Sequence, residues 1–500
     1  MEEKLKKLKE LLGEVADLRA ASNVLGWDQQ VNMPEGGAED RGEQIATLEN
    51  ILHKKATSDE IGKLLDDLED YKDQLDQDSD DARLIKVTRR EYEKQTKVPP
   101  EYVSEFARVS TVAQTVWQKA KAAADYEKFQ PHLEKLVELR REYAEFFKPW
   151  DHIYDPLLDD FEPGMKTAEV QDIFKNLRPK QVELLRKISE KDQVDKSFLS
   201  LSFPEKKQWD FGVEVISSFG YDWDHGRQDI SAHPFTTSFG LNDVRITTRF
   251  KEDYLPTAMF GTMHECGHAL YELGVDKKLN RTPLADGASM AVHESQSRMW
   301  ENLIGRSKPF WNHFYPRLKE IFPSQLGNID QEGFYRGINA VEPSLIRVEA
   351  DEATYNLHIM LRLEIEIALM EGSLDVKDAP GVWNEKFREY LGIIPPDDAQ
   401  GVLQDIHWSF GGFGYFPTYA LGNLVSAQIW EKMEEDIPDL VRQIEKAKFD
   451  DILGWLRENV HVHGAKFEPQ ELVQKVTGST ITPEPYIRYL ETKFGEIYNL

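Results

Sequence analysis

Apolar residues recur at helical spacing over most of this 500-residue chain, and that feature alone excludes most architectures. Leu5, Leu8, Leu11, Leu12, Val15 and Leu18 trace one face of a first helix. Patterns of the same period run through 40–56, 80–97, 99–125, 127–147 and 167–190. They recur at 349–371, 426–445 and 449–460. The interruptions are short: PEGG at 34–37, EPG at 162–164 and IIPPDD at 393–398. With no long Ser/Gly/Pro linker and no fixed-period repeat, the chain reads as one mainly helical domain, 1–500. One stretch differs. In HPFTTSFGLNDVRITTRF (233–250), Val244, Ile246 and Thr248 alternate with Arg245, Thr247 and Arg249, which predicts a short hairpin or small sheet.

Hydrophobic residues make up 40% of the chain, with 11 Trp and 25 Phe, which is material for a sizeable core. A net charge of -28 argues against nucleic acid or an anionic membrane surface as partner, because both would repel it. Cys266 is the only cysteine, so no intrachain disulfide can form, in keeping with a reducing compartment. The opening MEEKLKKLKELLGEVADLRAAS is charged and amphipathic and lacks the apolar core of a secretory signal. No apolar run approaches the ~18 residues of a membrane span. A cytoplasmic protein is the expectation.

Immediately after the strand-like stretch comes MHECGHALYE, an HExxH motif. On a helix, His264 and His268 project from one face one turn apart, a spacing that suits two ligands of a tetrahedral ion. Glu265 is displaced around the axis, where it can act as a base without ligating. Met259, Phe260, Met263, Ala269, Leu270 and Leu273 would bury this helix, and two buried imidazoles need partners that a metal provides. The third ligand is not Glu272, which lies eight residues from His264, about 12 Å along the axis. In SMAVHESQSRMWENL (289–303), Glu294 and Glu301 are both placed to serve, and spacing does not choose between them. Cys266 points about 200° away from His264 and reads as a small buried residue.

At this point the chain resembles the carboxypeptidase Taq family of metallocarboxypeptidases. The resemblance rests on HPF at 233–235, DVRIT at 243–247, HECGH, HESQ at 293–296, IRVEAD at 346–351 and GVLQDIHW at 401–408, in order and in register. LGWDQQVNMPEGGAEDRGEQ (25–44) and DPLLDDFEPG (155–164) are also similar to family members. The resemblance implies metal ligands His264, His268 and Glu294, with Glu265 catalytic. It further implies a nearly all-helical, two-lobed body with a deep central groove and a small sheet at the site. One divalent ion per chain, usually zinc and sometimes cobalt, and a homodimer are implied as well.

Hydrolysis of a peptide bond also needs a donor for the tetrahedral oxyanion. The Gly-rich run DIHWSFGGFGYFPTYALGN (405–423) offers His407, Tyr415 and Tyr419. An enzyme acting from the C-terminus must bind a free carboxylate, for which a buried arginine is suited. Arg347 in IRVEAD is the first candidate, on a helix whose polar stripe would include Asp351, Tyr355, His358 and Arg362. Pairing of Arg347 with Asp351 on a solvated face is the bland alternative. Arg245 in DVRIT is the second candidate. The expected activity is release of single C-terminal residues from peptides with broad specificity; an endo-acting or dipeptide-releasing zinc oligopeptidase is the alternative.

Overall fold

The periodic pattern resolves into 21 α-helices across residues 1–500 of the computed structural model, with one three-stranded sheet. The first helix, Glu2–Val31, buries Leu5, Leu8, Leu11, Leu12 and Val15 along the predicted face. Helices Ala38–Ala56, Asp80–Lys97, Pro100–Ala123, Tyr126–Glu145 and Thr167–Ser189 lie where the spacing places them. Two later spans differ. The 349–371 pattern becomes Tyr355–Glu371, because Asp351 Oδ1 accepts from the Ala353 and Thr354 amides at 3.0 and 3.1 Å. Such a side-chain turn competes with the helix for those donors. The 426–445 pattern is the latter part of Pro417–Asp436 and a short Leu440–Ile444. Pro417 sets the start, having no amide to lose there, and Pro438 forbids continuation.

The sheet is larger than a hairpin. Strands β2 (Thr236–Ser238) and β3 (Val244–Thr248) pair antiparallel, with Thr236 opposite Ile246. Strand β1 (Gln228–Ile230), which the sequence pattern does not reveal, adds parallel to the other side of β3. Val244 and Ile246 are fully buried, and the helix that follows, Leu255–Gly274, packs against the sheet.

One large apolar core runs through the body and includes Met263, Leu270, Trp300, Trp311 and Trp383. A smaller cluster joins Leu5, Leu8, Ile61, Leu65 and Leu84 of the N-terminal helices to Val275, Leu279 and Leu284, just after the HExxH helix. The N-terminal helices therefore pack on the exit of the HExxH helix. No helix is long and apolar enough to cross a membrane.

Candidate active site

Helix Leu255–Gly274 buries Met259, Phe260, Met263, Ala269 and Leu270, and Cys266 is fully buried beside them. This packing fixes the opposite face, where His264 and His268 stand with ring centroids 4.9 Å apart. The second helix, Met290–Arg298, is capped by Ser289, whose hydroxyl accepts from the Val292 amide at 3.1 Å. The two helices cross at Gly267, where an added Cβ would sit 2.7 Å from the Gln296 carbonyl and the Ser297 Cα. A third helix, Pro417–Asp436, approaches Glu294 at Gly422, where a Cβ would lie 2.7 Å from the Glu294 Cβ and Cγ. Only glycine permits either contact.

That close crossing brings three potential ligand atoms together. Glu294 Oε2 is 3.6 Å from His264 Nε2 and 3.6 Å from His268 Nε2. Two donors each about 2.0–2.2 Å from one tetrahedral ion would lie about 3.3–3.6 Å apart, which both Glu294–His separations match, and all three atoms lie within 4.8 Å of one another, so the set could hold a divalent metal. The tautomers fit as well. Both Nδ1 atoms have partners, His264 to Glu301 Oε2 at 2.9 Å and His268 to His293 Nδ1 at 2.7 Å, which leaves both Nε2 lone pairs free.

Glu301 is thus a partner of His264 rather than a third point of the triangle. It sits in a widened π-type turn, Met299–Ile304, that continues the Glu294 helix. Burial acts to raise its carboxyl, but Arg298 and His264 outweigh that and hold it at about 2. Arg298 bridges the two acids, with Nε to Glu294 Oε1 at 2.7 Å and Nη1 to Glu301 Oε2 at 3.1 Å. His293 continues the second line outward, its Nε2 2.8 Å from Glu272 Oε1. Glu272 is too far along the helix to ligate, yet it anchors the outermost ring.

Glu265 is buried next to His264. Its Oε2 accepts from the Thr236 hydroxyl at 2.7 Å, and the same hydroxyl also meets the Glu265 carbonyl at 3.0 Å. Strand β2 therefore aims the carboxylate. Burial raises the Glu265 carboxyl above its usual value.

The IRVEAD and GVLQDIHW segments meet through charge. Arg347 lies in a 3₁₀ turn (Arg347–Glu349) rather than on the helix, and its partner is Asp405, not Asp351. Its Nε and Nη2 donate to Asp405 Oδ1 at 3.0 and 2.8 Å, and Nη1 donates to the Tyr355 hydroxyl at 2.9 Å. Arg362 takes the other oxygen, Nε to Oδ2 at 2.7 Å. Burial acts to raise Asp405, but the two guanidiniums outweigh it and hold the carboxyl far below the usual range. Burial depresses His407 to about 4, and His358 also lies far below its ordinary value, so both imidazoles are neutral near pH 7. Two guanidiniums against one carboxylate leave the cluster with one net positive charge.

This cluster adjoins the His264, His268 and Glu294 group. Tyr355 lies under the Arg298 guanidinium at 4.7 Å, and Arg298 holds Glu294. Tyr419 lies under Arg347 at 5.0 Å, its hydroxyl 3.5 Å from His407 Nε2, and its ring packs on Tyr415 at 5.2 Å. Arg245 stands apart from this group. Its guanidinium makes two hydrogen bonds to Asp243, both 2.8 Å, and covers Trp27 and Phe239.

Several contributors escaped the sequence. His293 stood inside HESQ, beside Glu294, and that adjacency was its signal. Asp405 stood inside GVLQDIHW as the only acid there. Thr236 offered no sign beyond its place on a strand.

A family model for carboxypeptidase Taq (M32) metallopeptidases matches residues 7–494. Carboxypeptidase 1 of Bacillus subtilis is 40% identical over 492 residues, covering 98% of both chains. Thermostable carboxypeptidase 1 of Thermus thermophilus is 42% identical over 501 residues, again 98% of both. The crystal structure of the M32 carboxypeptidase from Deinococcus radiodurans superposes with a TM-score of 0.96 at 40% identity, over 99% of this chain and 100% of that one. With ligand geometry, fold and full-length similarity in agreement, the chain belongs to the carboxypeptidase Taq (M32) metallopeptidase family and is a metal-dependent carboxypeptidase.

Proposed function

We propose that this enzyme removes single residues, with broad specificity, from the C-termini of flexible peptides, using one zinc ion per chain held by His264, His268 and Glu294. Cobalt would satisfy the same donor set. A divalent ion there supplies Lewis acidity, polarising the scissile carbonyl and making water nucleophilic near neutral pH. Glu265 takes the proton of the attacking water and delivers it to the leaving amine. The Thr236 hydroxyl fixes the carboxylate for both transfers. Tyr419 and His407 face the developing oxyanion as donors, and Tyr415 lines the substrate's path beside them.

One observation carries the exopeptidase reading: the Arg347–Asp405–Arg362 cluster keeps one uncancelled positive charge next to the metal triad. Arg347 has donors left after serving Asp405 and Tyr355, and a substrate's terminal carboxylate is their fitting acceptor. Arg245, already paired with Asp243, is the weaker candidate. A carboxylate fixed there aligns only the last peptide bond. The reading takes residues 1–500 as one domain, in a two-lobed body whose groove admits a peptide end-on. The homodimer rests on the family resemblance, and the lone buried Cys266 is in keeping with a cytoplasmic setting.

Mass spectrometry of a peptide of about ten residues incubated with the zinc-loaded enzyme tests this. A ladder losing one C-terminal residue at a time, abolished by a chelator, is expected. Internal fragments appearing first would overturn it.

A further inference from the structure

Segment 155–164, DPLLDDFEPG, has no part in the chemistry above, yet it lies against the loop that carries it. Tyr154, just before it, is fully buried, and its hydroxyl donates to Glu366 Oε2 at 2.5 Å. Glu366 is fully buried on helix Tyr355–Glu371, one turn after Arg362. Two more donors converge on it: the Trp408 indole Nε1 on Oε1 at 2.7 Å, and the Gly414 amide on Oε2 at 3.0 Å. All three partners are donors and none is a cation.

These bonds span the loop at chosen points. Asp405 is gripped by Arg362; Trp408 and Gly414 are gripped by Glu366, four residues along the same helix. His407 lies inside the tethered segment and Tyr415 directly follows it. From the other side, segment 155–164 closes the wedge. Gly414 has φ +94°, and a Cβ there would come 2.2 Å from the Leu157 carbonyl. Phe161 packs edge-on to Tyr415 at 5.0 Å.

We propose that Glu366 is a positioning residue for the carboxypeptidase reaction, its carboxylate clamped by Tyr154, Trp408 and Gly414 so that the loop presents His407 and Tyr415 to the substrate. This rests on the roles given to those two residues above. A carboxylate suits the position because both of its oxygens accept. An amide does not: if its oxygen faces Tyr154 and Gly414, its NH₂ meets the Trp408 N–H, donor against donor. Burying that mismatch costs more than a missing bond.

The test is Glu366→Gln in the full-length, metal-loaded enzyme. Metal content should be unchanged and KM should stay within about two-fold while kcat falls about ten-fold. Amide hydrogen exchange should accelerate in 405–415 but not in Leu255–Gly274. Adding Trp408→Phe removes the opposing donor, so the double variant should regain kcat over Glu366→Gln alone. A packing role without positioning gives additive losses instead. Unchanged kcat, additive losses, or exchange raised equally in the metal-site helix would each overturn the proposal. His407→Ala separates the two readings: if it keeps full kcat, the role of His407 falls, and the exchange data alone decide whether Glu366 holds the loop.

Discussion

His268 and His293 face each other through their Nδ1 atoms, 2.7 Å apart. Two ring nitrogens at that distance share one proton. With a neutral His293 donating from Nε2 to Glu272, its Nδ1 is the acceptor, so His268 keeps its proton on Nδ1 and its Nε2 is left free for the proposed metal. His293→Ala should weaken metal affinity about 10–100-fold, read by competition against a chelator. Glu272→Gln should lose less, because an amide oxygen still accepts the Nε2 proton. Unchanged affinity in His293→Ala would mean that the ring is oriented by its packing alone.

The three acidic residues of the site should separate by phenotype. Glu265→Gln should retain about one ion per chain while kcat falls about 10²–10⁴-fold, because the base is lost and the ligands are not. Glu294→Ala should lose the ion. Glu301→Ala should keep it with weakened affinity, since it removes the partner of His264 Nδ1. Full metal content and activity in Glu294→Ala, with loss in Glu301→Ala, would exchange the two assignments.

What the sequence could tell depended on whether the geometry was local. HExxH dictates its own outcome, because any helix at that spacing puts His264 and His268 on one face. Glu294 and Glu301 lie on one continuous helical run, so spacing left them equivalent; the π-type turn and the nitrogen each reaches distinguish them. Local spacing offers Arg347 only Asp351, four residues on, as the bland alternative to a substrate carboxylate, while its partner Asp405 is 58 residues on. Arg347 lies in a 3₁₀ turn and not on the helix for the same reason, since the Asp351 turn that delays the helix to Tyr355 is a side-chain event. Strand β1 gave no signal: three residues are too few to show a period.

Acid stability should depend on His461, which lies outside the chemistry. It is fully buried, its Nε2 2.8 Å from Gln296 Oε1, and its Nδ1 has no partner. Burial depresses it to about 3, and His407 to about 4, against the ordinary 6.5. As pH falls below 6.5 the unfolded chain takes up these protons first. Their stabilisation is therefore complete above about pH 6.5 and is lost as pH falls toward the folded values. Urea midpoints measured from pH 7 to 4 should decline, and His461→Gln should decline less steeply. Equal slopes would assign the acid loss to other groups.

The last prediction concerns how the enzyme recognises the end of a chain. In Arg347→Ala, Asp405 keeps its bond to Arg362 at 2.7 Å, so the buried carboxylate stays paired and the fold should survive. The loss should then appear as selectivity. The native enzyme should strongly prefer a free-acid peptide to its amide, because only the carboxylate answers the net positive charge of the cluster. Arg347→Ala should lose about 10²-fold in kcat/KM on the free acid, the worth of a charge-assisted pair, and little on the amide, so that the preference collapses. Arg347→Lys should fall between, since an ammonium restores the charge without the planar fork. Arg245→Ala should leave the preference intact, because its guanidinium is spent on Asp243, Trp27 and Phe239. If Arg245→Ala abolishes the preference and Arg347→Ala does not, the carboxylate binds at the sheet, and the buried cluster serves only to join the two segments.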